Sequence, residues 1–414
     1  MTLDDELNVS NRNRGLIIVA RSISDFGAFL NMVALSTYVY WLSQSAIAVS
    51  VFLACRVFGG IVASLLGVAL FQRFTGRVPL VFLDLFRASL LTPLLFLPSA
   101  QQLMLLPFIA FGIGLGNSLF AIGLNSQLPI WVAADQRVAT NAWLTSVGAT
   151  GAVLGSLCSG LIMAAGGFQM IFTVNVITYV VAAGLILPLT VLYPSTQQER
   201  GTLSDQWREL VRGLRGAPVL AVMLLISLLD TLGSAAHNVG FPLLAEDIDP
   251  GESTRVMGYL LAVWALGKFV GARFASRRLQ GRASERLERA FLLGVALMSS
   301  AFIVTFQQSE LHWALAFIVW AGMGDGVAEV ALISRAQSEP QSLRLPLFSL
   351  LTLSQMVGFG VGMLLVGPFY SSWPLTLVIV LFHGLPLFAL LLTAVWLYFR
   401  SNTAEQRVRY QGRQ

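Results

Sequence analysis

Apolar residues along this chain run in stretches of about 20 or more, separated by short polar gaps, from Leu16 to Phe399. A helix needs about 20 apolar residues to cross a bilayer. The runs place such helices near 15–41, 46–70, 79–98, 103–131, 141–165, 169–193, 218–244, 255–275, 288–306, 312–334, 346–368 and 373–399. The pattern therefore predicts an all-α integral membrane protein of about 12 transmembrane helices. Several runs exceed a straight crossing, which predicts tilt or bending. Pro93, Pro107, Pro188 and Pro386 fall inside runs, where neighbouring helices re-satisfy freed backbone groups.

The gaps alternate in charge. Arg12, Arg14, Arg73, Arg77, Arg137, Arg200, Arg208, Arg212, Arg215, Arg277, Arg278, Arg282, Arg286, Arg335, Arg344, Arg400, Arg407, Arg409 and Arg413 fall on one side. The other side offers Arg255 beside Glu246, Asp247, Asp249 and Glu252. The positive-inside rule makes the arginine-rich side, and both termini, cytoplasmic. Residues 1–14 are polar, with no small-residue cleavage pattern beside a short apolar core, so no signal peptide is expected.

Composition narrows the function classes. Charged residues make up 11% of the 414, against roughly 25% in a soluble domain. The pI near 9.5 then reports topology and anionic lipid, and no nucleic-acid partner is expected. The only lysine, Lys268, is followed by Phe269, so a Gly-Lys-Ser/Thr phosphate loop is absent. Cys55 and Cys158 lie in apolar runs and read as small buried hydrophobes rather than redox groups. His237, His312 and His383 are scattered in sequence, giving no metal spacing, and no nucleophile–base constellation appears. No enzyme activity, metal or cofactor is expected.

The longest internal polar segment, Ser195 to Ala217, divides the runs six and six. The expected organisation is an N-terminal six-helix bundle (1–194), a cytoplasmic linker with an amphipathic helix (195–217) and a C-terminal six-helix bundle (218–414). Within the linker, Leu203, Trp207, Leu210, Val211 and Leu214 share a helical face, with Arg208, Arg212 and Arg215 between them. That helix is expected to lie on the membrane surface, a solvated linker being the alternative. Each half carries one pentapeptide between its second and third runs: Arg73-Phe74-Thr75-Gly76-Arg77 and Arg278-Leu279-Gln280-Gly281-Arg282. Glycine permits the tight turn, and the arginines can clamp helix C-terminal carbonyls or acidic neighbours. Two copies at equivalent places point to parallel repeats.

On these residues the chain resembles the major facilitator superfamily over nearly its full length. The pentapeptide is similar to that superfamily's Gly-x-x-x-Asp-Arg-x-Gly-Arg loop, with Gln72 at the Asp position. Asp84 and Arg87, one turn apart on the third run, also match. Ser24, Gly27, Asn31-Met32-Val33-Ala34-Leu35 and Ala46-Ile47-Ala48-Val49 resemble the exporter branch containing macrolide-efflux and enterobactin-exporter proteins. That branch commonly places an acidic residue near Ala28, whereas here the carboxylate is Asp25. On the fifth run, Gly148, Gly151, Gly155, Ser156, Ser159 and Gly160 are similar to the antiporter motif Gly-x-x-x-Gly-Pro-x-x-Gly-Gly. Close helix packing explains that face as well as an antiport hinge does. Glycine pairs 112/116, 267/271, 322/326 and 358/362 read as packing. The resemblance implies a monomer in a bacterial inner membrane, with a cavity lined by the first, fourth, seventh and tenth spans.

Ionisable residues inside spans are costly and functional by default. Here they are Arg21, Asp25, Arg56, Asp84, Arg87, Asp230, Lys268, Asp325 and Glu329. Arg21 and Asp25, four apart, are either a self-satisfied pair or a proton or cation site. Arg56 pairs with Asp25 or meets an anionic substrate group. Asp84 and Arg87 read as a latch near the cytoplasmic end. Lys268 neutralises Asp230 or an acidic substrate. Asp325 and Glu329 share one helical face and cannot both stay charged cheaply in low dielectric, which suits a proton carrier; the alternative is a pair held by Lys268 or Arg335. Proton coupling is therefore assigned to Asp25, Glu329, Asp325 and Asp230. Substrate contacts fall to Arg21, Arg56, Asn117, Asn125, Asn238, Trp264, Lys268 and Trp320. Conformational alternation falls to Arg73, Gly76, Arg77, Asp84, Arg87, Gly151, Gly155, Gly160, Arg278, Gly281 and Arg282.

The function expected is a proton-coupled exporter of an amphipathic organic molecule, drug-like or siderophore-like, with protons, substrate and lipid as partners. A proton-coupled importer of a small organic anion and a non-transporting membrane sensor are the alternatives.

Overall fold

The computed structural model describes residues 3–44, 46–193 and 203–411. The first eight of the linker residues, 195–202, lie outside them. The helices are α1 (Leu3–Ser43), α2 (Ala46–Arg73), α3 (Arg77–Leu91), α4 (Ser99–Trp131), α5 (Arg137–Ile186) and α6 (Leu203–Gly216). They continue as α7 (Pro218–Ile248), α8 (Ser253–Leu279), α9 (Ser284–Thr305), α10 (Leu311–Gln337), α11 (Gln341–Ser372) and α12 (Leu375–Gln411). Eleven of these, all but α6, are long and apolar enough to cross a membrane. The α5 helix contributes two passes. At Gly166 and Gly167 its backbone leaves helical geometry, with φ of 66° at Gly167, a left-handed conformation natural to glycine. Counting its two arms separately as the fifth and sixth spans gives twelve passes among the described residues.

Proline sets several boundaries differently from the apolar runs. The third run switches to a 3₁₀ turn at Thr92–Leu95, where Pro93 cannot donate to the α-helical ladder. The sixth run stops at Ile186, two residues before Pro188, rather than continuing to 193. Pro107 and Pro386 lie within continuous helix. The α1 helix also begins well before the first apolar run. Two residues of its polar head are buried and bonded: Asn13 Nδ2 donates to the carbonyls of Trp131 (3.0 Å) and Thr190 (2.7 Å), and Ser10 donates to Gln136 Oε1 at 2.8 Å.

The α6 helix forms as its apolar spacing requires, and part of that face covers protein, while Val211 on it is 49% exposed. Leu210 is 2% exposed in the main apolar cluster, with Trp207 and Leu214 packed against it. A Cβ on Gly213 would meet Leu343 of α11 at 2.7 Å. Arg208, Arg212 and Arg215 face outward.

The apolar cluster shared by the two groups of helices lies at one end. At the arginine-rich end a single cluster mixes Ile17, Phe71, Leu128 and Trp131 with Met223, Ala275, Phe291 and Phe348. At the opposite end the clusters separate. Tyr38, Phe52 and Phe172 belong to one, and Phe241, Phe302 and Ile379 to another. Glycine sets the tightest crossings within each group. Gly267 and Gly271 of α8 abut the Val319 and Met323 carbonyls of α10, while Gly322 and Gly326 of α10 abut those of Trp264 and Lys268. In the first group Gly59 of α2 abuts Phe111 O, and Gly114 of α4 abuts Arg56 O. Side chains there would hold the backbones apart.

Candidate functional site

The buried charges assemble into two clusters, one per group of helices. In the first, Arg21 Nε donates to Asp25 Oδ2 at 2.8 Å along α1. Asp25 is therefore held by its own helix, not by Arg56. Gly148 and Gly151 of α5 leave room for it, since a Cβ at Gly148 would lie 3.5 Å from Asp25 Oδ2. Gly155 continues that contact against the Phe26 carbonyl, whereas Gly160 meets nothing. The glycine face is thus the α1–α5 seam around a carboxylate.

Asp84 and Arg87 form a direct ion pair on α3, 0% and 2% exposed. The pair is sealed inside the first group of helices. Arg87 Nη1 also donates to Asn117 Oδ1 at 2.8 Å, and its guanidinium lies over the rings of Phe120 and Tyr179. A Cβ at Gly116 would meet Arg87 Cγ at 2.7 Å, so glycine clears the arginine's path. Asn117 is engaged by protein.

In the second cluster Lys268 Nζ sits 3.0 Å from Asp325 Oδ2 and 2.7 Å from Glu329 Oε2. The lysine is placed between the two carboxylates and offsets their mutual repulsion. It does not pair with Asp230, and Arg335 is engaged elsewhere, by Glu288 (2.8 Å) and Glu339 (2.5 Å). The lysine also lies 5.3 Å from the Trp264 ring centre, a cation–π contact. Trp320 is 49% exposed. Asn238 is exposed and donates back to Ser234 O of its own helix at 2.7 Å.

Glu329 joins the clusters across the molecule. Thr145 Oγ1 of α5 donates to Glu329 Oε1 at 3.1 Å. Both line a cavity of about 70 Å³ together with Arg21, Asn125 and Asn141, enough for a water or two. Below it Asn141 Nδ2 donates to Ser334 Oγ (2.9 Å) and Gln337 Oε1 (2.8 Å), and Gln337 Nε2 donates to Asn125 O (3.1 Å). Gln280 Nε2 reaches Asp135 O at 2.6 Å. The hydrogen bonds between the two groups of helices gather at this end, which is closed. Thr145, Asn141, Ser334 and Gln337 were not among the residues singled out from sequence, since neutral polar residues inside apolar runs carry no charge signal.

The paired pentapeptide turns adopt related geometry. Gly76 has φ 84° and Gly281 φ 66°, both left-handed. Gly76 N donates to Gln127 Oε1 at 2.6 Å, and Arg77 Nη1 donates to Leu189 O at 2.5 Å, tying the turn to the end of the sixth span. Arg73 and Arg278 lie over Phe74 and Phe274 of their own segments, and Arg282 N donates to Leu279 O at 3.1 Å.

Two histidines that are distant in sequence meet. His237 Nδ1 and His383 Nε2 are 3.2 Å apart, and the His237 ring stacks on Phe302 with centres 4.0 Å apart. Sequence spacing cannot reveal a contact between α7 and α12. Among the described residues no group of three or more His, Cys, Asp or Glu could hold a metal.

Twelve membrane passes, an internal cavity between two groups of helices, and closure at one end define a transporter architecture. The Major Facilitator Superfamily profile matches residues 17–344, and the chain belongs to that superfamily. No curated protein matches its sequence. Similar solved structures include a bacterial homologue of the iron transporter ferroportin in an outward-facing state, with TM-score 0.74, 13% identity and coverage of 93% of this chain and 99% of that one. The E. coli fucose:proton symporter FucP gives 0.70, 13%, 91% and 97%. The proton:xylose symporter XylE bound to 6-bromo-6-deoxy-D-glucose gives 0.71, 13%, 93% and 95%. At these identities the likeness is one of fold.

Proposed function

We propose that the protein is a proton-coupled exporter of an amphipathic organic small molecule, drug-like or siderophore-like, working by alternating access. The arginine-rich end faces the cytoplasm of a bacterial cell, and two six-helix bundles, joined by the segment 195–217, rock about the cavity. The observation that carries this reading is the position of Glu329. One carboxylate oxygen is ion-paired with Lys268 in its own group of helices, and the other accepts a hydrogen bond from Thr145 in the opposite group. Protonating Glu329 weakens its hold on Lys268, leaving Asp325 as the lysine's partner, and alters a bond that spans the closed end. Proton occupancy and closure thus bear on the same side chain. Asp25, bonded along α1 to Arg21, which lines the same small cavity, is the second coupling candidate. The turns at Gly76 and Gly281 govern the rate of alternation.

The driving force is adequate. One elementary charge moved through 100 mV supplies about 2.3 kcal/mol, which at about 1.4 kcal/mol per tenfold sustains a substrate gradient near fifty-fold. Loading a labelled panel of organic acids, amines and drugs against inverted vesicles tests the reading: uptake should follow an imposed inside-acid gradient. Import of a small organic anion uses the same parts and is favoured by one observation, an arginine at residue 56 without an ion-pair partner among the described residues. Accumulation in the opposite vesicle orientation would establish import.

A further inference from the structure

Seven of the nine intramembrane charges are paired. Arg21 holds Asp25, Arg87 holds Asp84, and Lys268 holds both Asp325 and Glu329. Arg56 and Asp230 are left, and neither has a hydrogen bond or ion pair among the described residues. They stand on opposite groups of helices. The first group carries three arginines against two aspartates, and the second one lysine against three carboxylates, so the two groups of helices differ in the sign of their intramembrane charge.

Neither group can reach water by extending along its helix. Arg56 is ten residues, about 15 Å, from the nearer end of α2, and Asp230 is twelve residues, about 18 Å, from the nearer end of α7. They also lie at a common level. A Cβ on Gly360 of α11 would touch Val57, the neighbour of Arg56, at 3.2 Å, and one on Gly358 would touch Thr231, the neighbour of Asp230. Arg56 and Asp230 therefore flank the same turn of α11, with helix axes no more than about 20 Å apart from two ordinary packing distances. Each side carries a buried polar atom with no partner: the Tyr179 hydroxyl in the group of helices that holds Arg56, and Asp230 Oδ1 itself.

Resting on the transporter reading, we infer that the substrate is a zwitterion whose acidic group is held by Arg56 and Tyr179 and whose ammonium is held by Asp230. A cation alone leaves Arg56 unmatched and an anion alone leaves Asp230 unmatched; a molecule bearing both satisfies each and bridges the two groups of helices. Asp230 is then a substrate ligand rather than a proton carrier, and the coupling carboxylates are those already paired in the absence of substrate.

Equilibrium binding to the purified, detergent-solubilised full chain tests this without any gradient, so its outcome is independent of proton coupling and direction. The probes are matched triplets built on amino acids whose ammonium and carboxylate are separated by aliphatic or aromatic spacers of increasing length: the amino acid, its methyl ester and its N-acetyl derivative. At least one amino acid should bind tenfold or more tightly than both of its derivatives. Arg56→Gln should lower it to the affinity of its ester while leaving the ester unchanged, and Asp230→Asn should lower it to that of the N-acetyl form. Retained ester or N-acetyl binding shows that the variants are folded. Arg56→Lys and Asp230→Glu should restore part of the preference. A panel in which no zwitterion outbinds its derivatives, or a preference that survives both substitutions, overturns the assignment.

Discussion

Replacing Asn141 by Ala removes two hydrogen bonds that cross the closed end, to Ser334 Oγ at 2.9 Å and Gln337 Oε1 at 2.8 Å. Each neutral bond contributes about 0.5–1.5 kcal/mol net, so together they favour closure by about 1–3 kcal/mol, or roughly 5–150-fold in the conformational equilibrium. Other crossing contacts, Thr145 with Glu329, Gln337 with Asn125 and Gln280 with Asp135, stay in place. The variant should keep its fold, because Asn141 makes these bonds only across the seam. Spin labels at Ala134→Cys and Ala283→Cys, both exposed at the arginine-rich end, would read the change in a background with Cys55 and Cys158 replaced by Ser. Double electron–electron resonance should show the short-distance population falling and a longer one rising by that factor. An unchanged distribution, or a shift to shorter distances, refutes the claim that this polar cluster holds the end closed.

Other outcomes follow from the same geometry. At Gly76, φ of 84° is strained for any β-branched residue by about 1–3 kcal/mol, so Gly76→Val should slow transport several-fold while equilibrium substrate binding, measured on purified protein, stays within twofold. His237→Leu or His383→Leu alone orphans a buried imidazole at a cost of about 1–3 kcal/mol, whereas the double change removes both partners and should recover most of the lost Tm. For orientation, Asp205→Cys should be inaccessible to an impermeant thiol reagent in intact cells, and Asp249→Cys should label. The reverse pattern would invert the proposed topology.

Much of the fold was legible because the bilayer demands long apolar helices and tolerates few charges. The linker helix was legible from the spacing of Trp207, Leu210 and Leu214, and the turns at Gly76 and Gly281 from a repeated pentapeptide. What the sequence concealed was partner choice. Lys268 had several acidic candidates at similar depth, and only the α8–α10 crossing at Gly267 and Gly322 brings it between Asp325 and Glu329. The burial of Asp84 and Arg87 was likewise hidden, because distance along α3 does not tell which face meets α4. The α1 head carried no signal of its packing: Ser10 and Asn13 stand in a polar stretch, yet they bond the Gln136 side chain and the Trp131 and Thr190 carbonyls at the ends of other helices.

Coupling through Glu329 is the central claim, and proton flux measured beside substrate flux tests it most directly. Protein reconstituted in liposomes with an internal pH dye should, when presented with a substrate from the vesicle panel under a pH gradient, move protons opposite to substrate and accumulate it uphill. Glu329→Gln should abolish both the uphill accumulation and the substrate-dependent proton flux while preserving substrate exchange at equal pH, since exchange needs no net proton movement. Full proton-driven accumulation by Glu329→Gln, and equally by Asp325→Asn and Asp25→Asn, would contradict the account.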